Sequence, residues 1–226
     1  MDKKMSPRDT VLVMLALGAL AGFVEVAGSH FIRMTDFPFR AGLLTGIGFL
    51  FVAIGIVLTK RPVAGLGIGL FTVLAKQLVV PVLGMSVMCK MNSSIAVMLE
   101  FGALSAVAAM AMPGMKKSLS KRALVGGGAA IVAAVAFFGI GMRVAPCAYL
   151  LSFNSAVGFL RFMGIEGGTW AAFSALLFPV GWSIGLALEN SIETAVSRNA
   201  MSFRMATFLA SAAVLGLTGA FIKFVG

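Results

Sequence analysis

From Thr10 to Phe31 the chain reads TVLVMLALGALAGFVEVAGSHF, a stretch in which Glu25 is the only acidic or basic residue apart from His30. A run of this length and character spans a bilayer, whose hydrocarbon core needs about 20 residues of helix. A secretory signal has a shorter apolar centre of about 7 to 15 residues. Lys3, Lys4 and Arg8 ahead of the run, and Ala27, Gly28 and Ser29 near its end, are therefore read as the flanks of a retained first helix. The whole chain agrees. Of 226 residues, 60% are hydrophobic and 12% charged, with a mean hydropathy of +1.03, whereas soluble domains carry roughly 25% charged residues. A water-soluble enzyme core and a coiled coil are excluded. The net charge of +10 needs no nucleic acid to explain it once the charges sit in loops.

Six further apolar stretches follow, Ala41 to Thr59, Val63 to Val87, Ser93 to Met112, Ala123 to Val144, Gly168 to Leu188 and Met201 to Lys223. The expected fold is all-α: a polytopic membrane bundle of about seven helices, with six possible, forming a single integral membrane domain over residues 1–226. Eleven Lys and Arg residues gather on the side of the N-terminus and six on the other, so the positive-inside rule puts the N-terminus in the cytoplasm and the C-terminus outside. The longest connection, 145–167, is too apolar for a free loop, with Tyr149, Leu150, Leu151, Phe153, Val157, Phe159 and Leu160. It is expected to lie at the outer interface or to re-enter the membrane.

Small residues recur four apart at Gly18 and Gly22, Gly42 and Gly46, Gly65 and Gly69, and Gly181 and Gly185. This pattern lets membrane helices approach closely, within one bundle or against a partner subunit. Three ionisable residues fall inside spans, each costing about 2.5 to 3.5 kcal/mol on insertion scales. At 1.5 Å per residue, Glu25 lies ~12 Å below Arg33, Glu100 ~10 Å below Ser93, and Lys76 ~21 Å from Pro62. All three thus fall at similar depth in the outer half, each on a stripe of small and polar residues. Two arrangements satisfy them. Lys76 can pair with Glu25 or Glu100 and register the helices, or the three can line an outward-open cavity with Gln77 and Asn154. Such a cavity, with two carboxylates and one amine, would suit a polar small molecule with a basic nitrogen. Pro81 removes the N–H that would reach the carbonyl of Gln77, so a bend beside Lys76 and a carbonyl freed for a ligand are expected.

Cys89 and Cys147 both fall at the outer face, where a disulfide is permitted but free thiols are also compatible. His30, Met85, Met88 and Cys89 form a conceivable soft-metal set, although fifteen methionines in an apolar chain are better explained by packing, and no metal is assigned. No catalytic motif is present and Gly126 to Gly128 lacks the Lys-Ser/Thr of a phosphate loop, so neither an enzyme nor a cofactor is expected.

The glycine- and alanine-rich first helix (Ala16, Gly18, Ala19, Ala21, Gly22) and the stretch KRPVAGLGIGL over residues 60–70 resemble the substrate-binding S-components of energy-coupling-factor vitamin importers. Such proteins bind a small molecule from outside and dock in the bilayer on a transmembrane coupling subunit bearing two ATPases. The resemblance implies that Ala16, Gly18, Ala19 and Gly22 form the docking face and that Glu25, Lys76 and Glu100 line the pocket. Six spans are usual in that family; seven are read here. A seven-helix facilitator of three-plus-one-plus-three design and a non-transporting assembly subunit are the alternatives.

Overall fold

The computed structural model describes residues 5–116 and 118–225, with the side chain of Cys89 outside that description; Lys3, Lys4 and Lys117 of the orienting charges also lie outside it. The described residues form helices and turns without a strand. Seven helices are long and apolar enough to cross a membrane. They are α1 (Pro7–Met34), α2 (Arg40–Thr59), α3 (Ala64–Leu83), α4 (Met88–Met115), α5 (Leu119–Val144), α7 (Ala156–Arg198) and α8 (Ala200–Val225), with the single turn α6 (Ala148–Leu151) before α7. The chain is a multi-pass membrane helix bundle.

Local chemistry sets the boundaries. Ser6 caps α1 by accepting the Asp9 N–H at 3.2 Å, with Pro7 opening the helix. Ser118 and Ser155 cap α5 and α7 in the same way. Lys60, at φ 56°, ends α2 in the left-handed region just before Pro62. Arg122 donates to the carbonyls of Met115 and Lys116, satisfying the end of α4.

Two pairs of parallel helices organise the bundle. Along α1 and α3, Gly18 faces Ile68, Phe71 and Thr72, and Gly22 faces Thr72 and Ala75. Along α2 and α7, Gly42 meets Thr169, Gly46 meets Phe173 and Leu177, Gly181 meets Leu50 and Gly185 meets Val57. The second pairing continues to the end of α2, where Lys60 bridges Glu189 at 2.9 Å and Glu193 at 3.0 Å. Hydrogen bonding to Glu189, then to Glu193, holds the Lys60 amine above its usual range. Phe101 of α4 fills the space left by Gly48 and Gly69, Ser105 that left by Gly65, and together they link α2, α3 and α4. All four sequence glycine pairs are thus used within this chain.

α8 is peripheral. It packs mainly on α1 and the outer end of α3, fastened at one end by Arg204 to Asp9 at 2.8 Å and at the other by Phe221 against Phe23, His30 and Phe31. Segment 145–167 is partly reassigned: the turn α6 is followed by Ala156 to Gly167, which extends the sixth span outward through a π-helical turn, Met163–Gly167. At 43 residues α7 measures ~64 Å, about twice the hydrocarbon thickness, so it projects beyond the bilayer. Its π turn holds Glu166, which accepts hydrogen bonds from Tyr149 and from Trp170 and ties α6 to α7. Burial, then the bond to Glu166, pushes the Tyr149 hydroxyl up from its ordinary pKa.

The glycine contacts yield a paired prediction. A methyl group at Gly181 meets the backbone of Leu50, whereas one at Gly128 meets nothing within 4 Å. Gly181→Ala is expected to destabilise by about 1 to 3 kcal/mol through overpacking. Gly128→Ala is expected to be neutral or to stabilise by up to about 1 kcal/mol. Thermal unfolding in a mild detergent reads both.

Candidate functional site

Five helices leave a cavity of about 570 Å³ at the end that the basic-residue count assigns to the outside. Glu25, Ser29, His30 and Arg33 of α1 line it with Arg40, Ala41 and Leu44 of α2, Lys76, Val79 and Leu83 of α3, Lys90 and Ser93 of α4, and Phe221, Ile222 and Val225 of α8. Met85 joins them from the turn after α3.

The floor is built by the α1–α3 register. Glu25 lies one turn beyond Gly22, and Lys76 one residue beyond Ala75, the residue Gly22 touches. The carboxylate and amine therefore meet, Nζ to Oε2 at 2.7 Å, with side chains 9% and 12% exposed for Lys76 and Glu25. The sequence around Glu25 adopts a π-helical turn, Val24–Gly28. Such a turn shifts the faces of the helix by one extra residue and is common at functional sites. Thr72 secures the same contact by donating to the carbonyl of Ile68 at 2.8 Å and approaching that of Gly18 at 3.3 Å.

Glu100 is brought beside this pair, within reach of the charges of both Glu25 and Lys76. It is 5% exposed and accepts a hydrogen bond from Thr45 at 3.2 Å, lying behind the cavity wall instead of on it. Gln77 also stands behind the wall: its amide donates to Ser94 at 2.9 Å, while its Oε1 is buried without a partner among the described residues. Asn154 lies elsewhere, exposed in the turn between α6 and α7 and outside the cavity lining.

The break in α3 falls at Gln77 and Leu78, just before Val79–Leu83. The Gln77 carbonyl is not free, however. It accepts the Val80 N–H at 3.0 Å, because a tighter turn replaces the bond that Pro81 removes. The docking face expected on α1 is also occupied. Gly18 and Gly22 are closed over by α3 and Ala19 is fully buried, leaving Ala16 half-buried. The glycines are there so that α3 can come close. Of the soft-metal set, His30 and Met85 line the cavity, Met88 is exposed outside it, and the Cys89 side chain lies outside the described residues. His30 packs edge-on against Phe31 and Phe221. Cys147 is half-buried and has no disulfide partner among the described residues.

Thr45, Arg33, Arg40 and Lys90 are the residues that sequence reasoning passed over. Thr45 is a polar residue within a span and was findable on that ground; the three cations bound spans and were read only as orienting charges.

Removing one member of the floor pair breaks a buried ion pair and leaves the other charge without its direct partner. Lys76→Met and Glu25→Gln are each expected to lower stability by on the order of 3 kcal/mol, with the double variant recovering most of the loss. Thr45→Val, which takes the hydrogen bond from Glu100, is expected to cost about 1 kcal/mol. A double-mutant cycle of unfolding midpoints in neutral detergent measures the coupling.

No family model, curated protein or solved structure matches the chain.

Proposed function

We propose that this membrane protein is a transport component that takes up a small polar molecule from the outer side of the bilayer. The carrying observation is the outward cavity that descends between α1, α2, α3 and α8 to the buried Lys76–Glu25 pair. Its volume falls within the usual range of about 300 to 1,000 Å³ for small-molecule sites. A few polar groups placed within a partly apolar pocket are the arrangement that orients a bound solute.

We further propose that it serves as the substrate-specific subunit of an ATP-driven importer. The sequence encodes no nucleotide site of its own, and the helix count fits when α8 is treated as an addition. The first six membrane-spanning helices form the body, and α8 clings to its side. The facilitator of three-plus-one-plus-three design finds less support. In such a repeat the tight α1–α3 contact would recur between α5 and α8, which share no comparable packing. An assembly subunit loses the free glycine grooves that recommended it, since each is filled from within the chain.

Purification from native membranes in mild detergent tests the reading. An ATPase pair is expected to copurify, and native mass spectrometry should show a small molecule that is absent from the Glu25→Gln/Lys76→Met variant. Concentrative uptake by vesicles holding this chain alone would reject the importer while preserving the transport role. Unchanged uptake in cells carrying the double variant would reject the cavity as the site.

A further inference from the structure

The cavity's charges divide by depth. At the floor, Glu25 is taken up by Lys76 at 2.7 Å, which leaves no other carboxylate among the lining residues. At the mouth stand Arg33, near the outer end of α1, and Arg40, at the start of α2, with Lys90 of α4 on the same rim. Among the described residues neither arginine has an ion-pair partner, and Asp36, the one acidic residue in the connection between them, is exposed and does not line the cavity. Between rim and floor the walls are mostly apolar, formed by Leu44, Val79, Leu83, Phe221 and Ile222, with Ser29, His30 and Ser93 as the uncharged polar groups among them. An amine would meet cations at the entrance and a carboxylate already neutralised at the base. An anion would meet two guanidiniums, the side chains best shaped for bidentate binding of carboxylate or phosphate.

We infer that the ligand is an organic anion with an apolar body, its carboxylate or phosphate held by Arg33 and Arg40 at the rim and its far end resting on the Lys76–Glu25 pair. This inference rests on the proposed solute-binding role and replaces the amine expected from sequence. Eight residues separate Arg33 from Glu25, which sets the ligand's length at ~12 Å or less. Cations lining one cavity raise the local concentration of anions and hasten their capture. The same chemistry would hold the headgroup of an anionic lipid lodged in the shaft.

The test uses phenyl phosphate and benzylamine as probes, with thermal unfolding of the full chain in neutral detergent as the readout. Phenyl phosphate should raise the midpoint in a saturable manner and benzylamine should not. Arg33→Gln/Arg40→Gln should weaken the apparent affinity tenfold or more. Arg143→Gln/Arg161→Gln, which removes two exposed cations from the same outer side but outside the cavity, should change it less than twofold. Stabilisation by benzylamine that is lost in Glu25→Gln would overturn the anion inference and leave the solute-binding role standing. No stabilisation by either probe, with no bound mass in native spectra, would overturn both. An equal loss in the two double variants would show a general charge effect and also reject the site. Nanodiscs of phosphatidylcholine with and without phosphatidylglycerol separate the sources: competition of phosphatidylglycerol with phenyl phosphate identifies a lipid anion, and its absence a soluble one.

Discussion

In a bilayer no hydrophobic force draws one helix to another, and an ionisable side chain cannot be left alone there. Both constraints meet at the contact of α1 with α3. Gly18 and Gly22 let the two backbones come together, and that approach is what brings Glu25 to Lys76. With larger residues at either glycine the helices would stand apart, and two charges would each bear the cost of burial. The floor of the cavity follows from this one contact.

Local departures from regular helix are concentrated at the same level of the molecule. α1 carries a π turn at Glu25, and α3 breaks directly after Lys76. Each departure leaves its hydrogen bonding largely repaired, as the Gln77 carbonyl shows by accepting from Val80. Their effect is to open space above the ion pair without separating the helices below it. A second π turn, at Glu166, serves a different end by giving Tyr149 and Trp170 a shared acceptor that fixes α6 on α7.

The cavity's electrostatics follow from which partners are already taken. Counted as residue types, two carboxylates and an amine suggest a site for a basic ligand. Once Lys76 has engaged Glu25 and Thr45 has engaged Glu100 behind the wall, the charges left facing the opening are those of the rim. Arg33 and Arg40, which bound α1 and α2 at that end, are among them.

The sequence by itself determined the solvent, the helical class and the number of spans, because a hydrocarbon core about 30 Å thick admits only long apolar helices that satisfy their own backbone groups. It also singled out Glu25, Lys76 and Glu100, since a charge inside a span is conspicuous whatever its neighbours. What it could not assign was partnership. Gly18 and Gly22 look alike whether they receive a helix of this chain or of another, and only the packing shows α3 lying on them. Asn154 and Arg40 are both polar residues near the outer ends of spans, and only the order of helices around the cavity excludes the first and includes the second. Periodicity and hydropathy are properties of one helix at a time, whereas a cavity is defined by several helices distant in sequence, so its lining belongs to the tertiary structure.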